Sequence, residues 1–484
     1  MKLPLLALAL CAACYGSEKN PISCFDRICK NPAQYCDFDG SVAGTPGLCL
    51  DIECTPGQFE TCRADDTSAV CNAAGDNLEV QTCDLGCDPA TGCNTCTPNT
   101  VTCDGDILRT CNAAGALANE TCTAGCISSP TPHCAHIIPR YLPDVCDTPA
   151  PSPELVISSS GTFDTSLDLN CNGGIVQQVG GPEICVVRYG SITFAAGTEL
   201  RVIGRDVNGG SSGGRPIAFV ADRDVVVAGV LDIAGRSTGT LDPPPTSGPG
   251  GGFTNSGGGQ ATSGGSGGGG AGFKTAGAPG GTATVDGGGM NGGAPRIDPI
   301  TSAILEGGPR NSGGGGGAMT LVACQGSVRV PGLIDAGGGG GLGGFPSPLS
   351  GNPIPGGGGG AGGYVVLQGL SVDVTGEVYA NGGGGGGGRI PNSTFGAAGK
   401  DGQRSEAAAA GGNANMAEGA GGSGGCITTQ PGGGKHPSAA GTTPGGGGGS
   451  MGFFQSYTPT IEAATLEPLK SSPRFQPPAM IPTR

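Results

Sequence analysis

Carboxylates are the side chains in this sequence whose type and spacing could do chemistry. Six of them lie in or beside short β-branched segments: Asp222, Asp224, Asp232, Asp335, Asp373 and Glu377. Paired carboxylates that face a groove can act as acid and base in glycan cleavage, or can hold Ca²⁺. Aspartate also favours chain corners, where its side chain accepts hydrogen bonds from backbone amides. We favour this structural interpretation, because Tyr379 stands in the third copy of the position that Asp232 and Asp335 share, and we assign no catalytic residue.

The histidines give weak grounds for a metal site. There are three, His133, His136 and His436, and the first two flank Cys134. No further ligand follows them at a regular spacing. We interpret the pair as solvated side chains, and we expect neither a metal nor another cofactor.

Cysteines are concentrated before residue 150, and the chain has 23 of them. Behind an export signal, this density indicates disulfides formed in an oxidising compartment rather than zinc sites. Cys171 and Cys185 bracket a turn and are expected to pair, Cys324 and Cys426 are candidates for another pair, and Cys146 is the expected unpaired thiol. The cysteines assigned to disulfides are Cys24, Cys29, Cys36, Cys49, Cys54, Cys62, Cys71, Cys83, Cys87, Cys93, Cys96, Cys103, Cys111, Cys122, Cys126, Cys134, Cys171, Cys185, Cys324 and Cys426.

The cysteine-rich region divides into small modules. Residues 17–53 form the first, and residues 54–95 and 96–134 are a duplication, since both begin Cys-Thr-Pro and both carry Cys-Asn-Ala-Ala-Gly, at Cys71 and Cys111. Units this short cannot bury a sufficient core, so disulfides must stabilise them. The Asn-to-Gly segments predict hairpin turns. The pairing stays open, because six cysteines allow fifteen connectivities.

The first 16 residues predict export. Lys2 precedes a short apolar run that ends in LCAAC, and this string resembles a bacterial lipobox, in which cleavage leaves a lipid-bearing cysteine. The resemblance implies a lipid anchor at Cys14, although Cys11 stands where a lipobox usually has leucine. The alternative is ordinary secretion with cleavage near Gly16. No other stretch is apolar and long enough for a transmembrane helix.

A short hydrophobic sequence, which we call the phrase, recurs between glycine tracts. The strands it forms must position any functional site on this part of the chain. The phrase contains Val-x-Val-x-Gly in three copies, with the shared glycine at Gly229, Gly332 and Gly376. A repeated strand–corner–strand phrase predicts a solenoid. We therefore expect an all-β chain with a right-handed parallel β-helix-like solenoid over residues 154–460. A Pro-rich linker over 135–153 precedes it, and a Pro-rich tail over 461–484 follows.

The last coil of this solenoid needs a cover for its open strand edges. Phe453, Phe454 and Tyr457 are the expected plug at that end.

Glycine tracts interrupt the phrase at one regular step, over about 236–317, 337–362 and 382–450. If the strands stack, every insertion leaves from the same corner and the loops form one layer. Pure glycine runs can pack as polyproline-II strands joined by backbone hydrogen bonds, whereas isolated glycine-rich chain is a random coil. We expect order in the pure runs and disorder in the Ser/Thr/Ala-rich middles, over 253–266 and 396–425.

The charge of the chain limits its partners. The formal net charge is −15, and the 24 basic residues form no cluster. Nucleic acid and anionic membrane surfaces are therefore poor partners on electrostatic grounds, and we expect no nucleic-acid binding. A glycan or surface polymer remains compatible, and a membrane would be engaged only through lipid.

Taken with these motifs, the chain resembles several groups of known proteins. Its phrase followed by polyglycine is similar to bacterial surface β-helices with glycine-rich loops. Its cysteine pattern is similar to the tandem repeats of myxobacterial-type surface lipoproteins. The glycine-rich middle resembles PE-PGRS proteins in composition only, and its loop style resembles the polyglycine domains of some receptor ectodomains. The resemblance implies surface display but no single activity.

Three functions stay open. The leading one is an exported cell-surface structural or adhesive protein without catalysis, whose side-chain-poor glycine face lets a partner approach backbone amides. The alternatives are a secreted polysaccharide lyase or hydrolase on the β-helix, and a protein-binding module formed by the cysteine-rich repeats.

Overall fold

The computed structural model divides the chain into two compact units, residues 1–133 and 134–484. The predicted signal and Cys14 lie outside the described residues, as do residues 253–264 of the first glycine insertion. The structure describes residues 22–24, 27–29, 34–37, 45–51, 54–63, 66–72, 75, 78–204, 214–237, 246–252, 265–282, 289–295, 304–346, 353–389, 395–413, 419–437, 442–466 and 470–484.

The first unit consists of short antiparallel hairpins and three-stranded sheets. Asn72 and Asn112 open the predicted turns, which close at Gly75 and Gly115, both with a positive φ. The strands up to residue 134 are β1 (Ile22–Cys24), β2 (Arg27–Cys29), β3 (Gln34–Asp37), β4 (Leu48–Asp51), β5 (Phe59–Cys62), β6 (Thr67–Cys71), β7 (Leu78–Thr82), β8 (Cys87–Asp88), β9 (Gly92–Cys93), β10 (Val101–Asp104), β11 (Ile107–Cys111), β12 (Leu117–Thr121), β13 (Cys126–Ile127) and β14 (His133–Cys134).

The duplicated modules share a disulfide pattern that the spacing alone left open. The first joins its cysteines one to three, two to five and four to six: Cys54–Cys71, Cys62–Cys87 and Cys83–Cys93. The second repeats the first two of these pairs: Cys96–Cys111 and Cys103–Cys126. Cys49, Cys122 and Cys134 are also disulfide-bonded.

The second unit is a β-helix-like solenoid, which confirms the predicted fold class. Two 3₁₀ turns, Asp168–Asn170 and Ile461–Ala463, are its other regular elements among the described residues. Its strands are β15 (Leu155–Ile157), β16 (Gly161–Asp164), β17 (Ile175–Val176), β18 (Ile184–Tyr189), β19 (Ile192–Phe194), β20 (Glu199–Ile203), β21 (Ile217–Ala221), β22 (Val225–Val227), β23 (Val230–Asp232), β24 (Ala318–Ala323), β25 (Ser327–Val330), β26 (Leu333–Asp335), β27 (Phe345–Pro346), β28 (Pro353–Ile354), β29 (Tyr364–Gln368), β30 (Ser371–Val374), β31 (Glu377–Tyr379), β32 (Phe453–Thr458), β33 (Ala464–Leu466), β34 (Ser471–Ser472) and β35 (Ala479–Met480).

Three sheets form the solenoid walls. Sheet A has the order β17-β18-β21-β24-β29-β32-β35, sheet B has β15-β19-β22-β25-β30-β33, and sheet C has β16-β20-β23-β26-β31-β34. Apart from the antiparallel β17–β18 pair, neighbouring strands in these sheets are parallel. Each coil therefore contributes one strand to each sheet, in the order A, B, C.

Apolar side chains fill the solenoid and also cover the outside of sheet A. In β21, Ile217 and Phe219 belong to the interior core, while Ala218 and Val220 belong to a second core on the outer face. A strand buried on both faces needs a continuous apolar run. This requirement explains why sheet A takes the segments IAFVA, AMTLVA and YVVLQ.

The glycines of the repeated phrase stack at the corner between sheets B and C. A Cβ on Gly332 would lie 2.2 Å from the carbonyl oxygen of Gly229, and one on Gly376 would lie 2.0 Å from that of Gly332. Successive coils approach too closely here for any side chain, so this position of the phrase requires glycine.

The segment predicted as a linker, residues 135–153, packs on the outer face of sheet A, and we call it the strap. The hydroxyl groups of Tyr141 and Tyr364 are 2.8 Å apart. Cys146 forms a disulfide with Cys324, so the expectation that Cys146 is unpaired was wrong. The proposed Cys324–Cys426 pair was wrong for the same reason. Among the cysteines whose side chains are described, Cys426 is the free one, and it is buried.

The C-terminal segment corrects two further predictions. Phe453–Thr458 is not a plug but a regular strand of sheet A, and β33, β34 and β35 then add to sheets B, C and A. The predicted tail over 461–484 therefore completes another coil. These strands join the sheets through backbone hydrogen bonds. Because they are short and carry little apolar pattern, the sequence did not predict them as strands.

Candidate functional site

The corner between sheets C and A brings two of the six predicted carboxylates together, Asp232 and Asp335. Asp232 is the last residue of β23 and pairs in register with Asp335, the last of β26, which pairs with Tyr379. Each aspartate accepts a 2.9 Å hydrogen bond from the amide two residues on, at Ala234 and Gly337. The predicted structural role of these aspartates is therefore confirmed. All three glycine insertions begin directly after this register position.

Two guanidinium groups neutralise the aspartate pair. Arg236 lies 2.6 Å from Asp232 and 3.4 Å from Asp335. Arg404, from the third insertion, lies 2.8 Å from Asp335, 3.3 Å from Asp232 and 2.7 Å from Glu199. We call these five residues the corner clamp, because it ties an inserted segment to three successive coils.

Burial and ion pairing oppose each other in the corner clamp. Asp335 is 0% exposed, and burial, followed by the charge of Asp232, raises the pKa of its carboxyl group. Burial alone would lower the pKa of Arg236, but the charges of Asp232 and Asp335 outweigh it and raise that pKa. The pKa of Arg404 is raised in the same way, against its own burial, by Glu199 and Asp335. Closed ion pairs of this kind position chain segments, and they leave neither aspartate open to a polymeric substrate.

The glycine insertions pack into an ordered layer. At its centre is the run of seven glycines at residues 382–388, all of them buried. Their seven amides donate in rotation to three neighbouring segments, residues 419–425, 357–360 and 397–400, at 2.7–2.9 Å. Each neighbour therefore receives a bond from every third residue, which is the period of a polyproline-II helix.

Three further segments donate to the same run. Residues 341–344, residue 412 and residues 446–449 direct amides to its carbonyl oxygens at 2.8–2.9 Å. The central run thus has six hydrogen-bonded neighbours, and we call the whole array the glycine lattice. The lattice confirms the expectation of order in the pure glycine runs.

The expected disorder over 396–425 was wrong where that segment is described. Gly396, Gly399 and Gly402 donate to the second insertion at 2.6–2.9 Å. Asp401 accepts 2.8 Å bonds from the amides of Ser237 and Gly340, so its carboxylate joins all three insertions. Composition misled here, because most of the described alanines and serines occupy outer positions that tolerate a side chain, Ala409 being the buried exception.

Side chains are sterically excluded from the centre of the glycine lattice. A Cβ on Gly383, Gly385 or Gly386 would lie 2.0, 2.1 or 1.8 Å from a carbonyl oxygen of a neighbouring segment. These amides are buried and bonded within the chain, so a partner cannot reach them. The predicted route for adhesion, through exposed glycine amides, is therefore closed at this run.

The other predicted carboxylates are dispersed. Asp224 accepts from Ser327 at 2.8 Å and pairs with Arg329, while Asp222 pairs with Arg188. Glu377 is one of the groups that raise the pKa of Tyr379, after burial. Asp373 lies on β30, in register with Arg329. None of these is brought to the corner clamp.

At the first coil, a residue that the sequence analysis did not single out is strongly bonded. Hydrogen bonds from Gln177 and then Arg215 lower the pKa of Glu183. The histidines make local contacts: His133 bonds the carbonyl of Thr131 at 2.7 Å, and His136 bonds Asp147 at 3.0 Å. His136 is buried, so the prediction that both side chains are solvated was wrong for His136.

Within the part of the chain that is described, no cluster of three or more His, Cys, Asp or Glu residues could hold a metal ion. No helix found there has the length and apolar character to cross a membrane. The disulfides indicate folding in an oxidising environment. No protein-family model, curated protein or solved structure matches the chain.

Proposed function

We propose that this chain is an exported, lipid-anchored structural protein of a cell surface, without catalysis. Cys14 carries the anchor, and the β-helix with its glycine lattice is a rigid displayed body. The observation that carries the proposal is the buried central run, residues 382–388, enclosed by six hydrogen-bonded segments. Such an array serves packing rather than recognition.

The corner clamp supports the same proposal. Asp232 and Asp335 are 2% and 0% exposed and are shared between two guanidinium groups. A glycosidase needs one carboxyl group that can donate a proton to the substrate and a second carboxylate that also has access to the substrate. The carboxylates here hold an insertion in place, which favours the structural function over the lyase or hydrolase alternative.

The experiment is expression of the full chain and of Cys14→Ser in a Gram-negative host, followed by protease shaving of intact cells. We expect the wild type in the membrane fraction, with β-helix peptides released by protease, and Cys14→Ser in the soluble fraction. Cys11→Ser is the matched control and should fractionate like the wild type. Wild-type protein found only in the medium, or released only after lysis, would refute the anchored surface position.

A second function, binding of a protein partner by the cysteine-rich repeats, is favoured by one observation. In both repeats the third strand, β7 or β12, is an edge strand with every residue exposed, and Val80 is 52% exposed. Edge strands offer unpaired amides and carbonyls to another chain. A chain lacking residues 24–134 should then lose a partner that the full chain retains, with Val80→Lys as the point variant.

A further inference from the structure

A cleft of about 450 Å³ lies between the strap and the first coils of the solenoid. The strap forms one wall, from Leu142 to Pro151, and the turn around residues 172–176 forms the other. Arg188, on β18, lies at the base. The proposed surface function does not use this cleft.

Arg188 is held rigidly but is only partly bonded. Its backbone exchanges two hydrogen bonds with the Asn172 side chain, at 2.8 and 3.0 Å. Its Nη2 atom donates to the carbonyl of Thr148 at 2.9 Å and to the carboxylate of Asp222. The residue is 4% exposed, and its Nη1 atom is buried without a hydrogen-bond partner. A buried donor on a charged group is costly to leave unpaired.

Apolar and polar residues share the lining of the cleft. Asp144, at the edge, lies 3.3 Å from Arg484 and so is already paired with a cation. Asp222 accepts a 2.9 Å bond from the amide of Ala150, which ties the base of the cleft to the strap. The apolar lining consists of Leu142, Pro143, Val145, Pro149, Pro151 and Val176.

We propose that this cleft binds a small monocarboxylate with an apolar body, whose carboxylate accepts hydrogen bonds from Nη1 of Arg188. A guanidinium has donors only, and an ionised carboxylate has acceptors only, so the two are complementary. An uncharged alcohol would form a weaker hydrogen bond with the guanidinium than an ionised carboxylate does. Burial lowers the pKa of Arg188, against the charge of Asp222, and a second anion would offset that burial.

Access to Nη1 requires the strap wall to move, because the atom is buried while the strap is closed. The strap has no strand or helix over residues 138–153, so this wall can shift without breaking a sheet, provided that the bonds of Thr148 to Arg188 and of Ala150 to Asp222 open. The Cys146–Cys324 disulfide keeps the wall attached while it moves. Binding should therefore be accompanied by changed hydrogen exchange in the strap.

The test is calorimetric titration of the full chain with octanoate, with octan-1-ol as the uncharged control. We expect saturable one-to-one binding of octanoate, and at least tenfold weaker binding of the alcohol. Val176→Trp, which fills the cleft and leaves the Arg188 side chain unchanged, should weaken octanoate binding at least tenfold. The matched control is Val179→Trp, at a position 99% exposed and outside the lining, and it should bind like the wild type.

Arg188→Lys tests the head-group contact directly. A compact ammonium cannot bond Asp222 and the ligand in the planar geometry of a guanidinium, so affinity should fall at least tenfold. If that variant does not fold, Val176→Trp still decides. Absence of saturable binding, equal affinity for the alcohol, or wild-type affinity in Val176→Trp would overturn the proposal.

Discussion

The glycine lattice makes its sharpest prediction at Gly385, in the middle of the central run. The Gly385 amide donates to Gly422 at 2.8 Å, and its carbonyl accepts from Gly412 at 2.8 Å. A Cβ added there would lie 2.1 Å from the carbonyl oxygen of Gly446. Non-bonded heavy atoms prefer about 3.5–4.0 Å, so Gly385→Ala must move a neighbouring segment by more than about 1 Å.

The cost follows from the contacts that such a shift disrupts. Overpacking of a tight interior costs about 1–3 kcal/mol. Two or three lattice hydrogen bonds would be lost or lengthened, at about 0.5–1.5 kcal/mol each. Replacing glycine by alanine also restricts the unfolded chain, which favours the folded state by about 0.4–1 kcal/mol. We therefore expect Gly385→Ala to lower the free energy of unfolding by about 3–5 kcal/mol.

Gly433→Ala is the matched control in the same layer. The Cβ there would lie 3.5 Å from the nearest atom, the carbonyl oxygen of Pro279, which is ordinary contact. Only the unfolded-state effect remains, so this variant should be neutral or more stable by up to about 1 kcal/mol.

The assay is denaturant unfolding of the full chain, with hydrogen exchange of peptides covering residues 380–389 to localise the change. If Gly385→Ala stays within 1 kcal/mol of the wild type, or if Gly433→Ala costs as much, the central run is not close-packed and the reasoning fails.

Three other outcomes test the rest of the structure. Cys146→Ser opens a disulfide that joins positions 178 residues apart, and should cost about 2–5 kcal/mol in chemical unfolding, with the strap exchanging faster than sheet C. Because the pKa of Glu183 is lowered in the folded chain, its contribution is present above its ordinary value of 4.5 and is lost as the pH falls below it. Thermal unfolding should therefore show Glu183→Gln less stable than the wild type at pH 7 and equal to it near pH 2. Arg404→Met leaves Asp335 one cation short, and should cost about 1–3 kcal/mol and raise exchange in residues 395–413, whereas an unchanged exchange rate would mean that the corner clamp does not hold this insertion.

The sequence predicted those features that a local pattern determines. The Val-x-Val-x-Gly phrase identified the coils, because Gly332 and Gly376 must be glycine wherever successive coils approach. Asp232 and Asp335 occupy equivalent positions in the phrase, and in the structure they pair in register. The start of each insertion could likewise be placed, since every coil leaves sheet C at the same residue of the phrase.

Features that depend on distant contacts could not be predicted in this way. Cys146 and Cys324 meet only because the strap folds back over sheet A, and no spacing in the sequence encodes that path. The last coil was missed because Ser471 and Ser472 join sheet C through their backbones, without an apolar pattern. Arg404 lies in the third insertion, so its place in the corner clamp follows from the lattice rather than from the phrase.

Within the solenoid unit, the parallel sheets and the glycine insertions therefore depend on each other. Isolated glycine-rich chain is a random coil, and ordering it has a large entropic cost. Strands of a sheet lie about 4.8 Å apart, so the register Asp232–Asp335–Tyr379 starts three insertions side by side and in the same direction. The sheets thus supply the alignment that glycine tracts lack, and the corner clamp secures it. In return, the first insertion places Phe273 against Phe453, with ring centroids 5.0 Å apart, on the outer face of sheet A, which it covers together with the strap. A solenoid without its insertions would expose part of that apolar face, and insertions without the solenoid would have no common starting register.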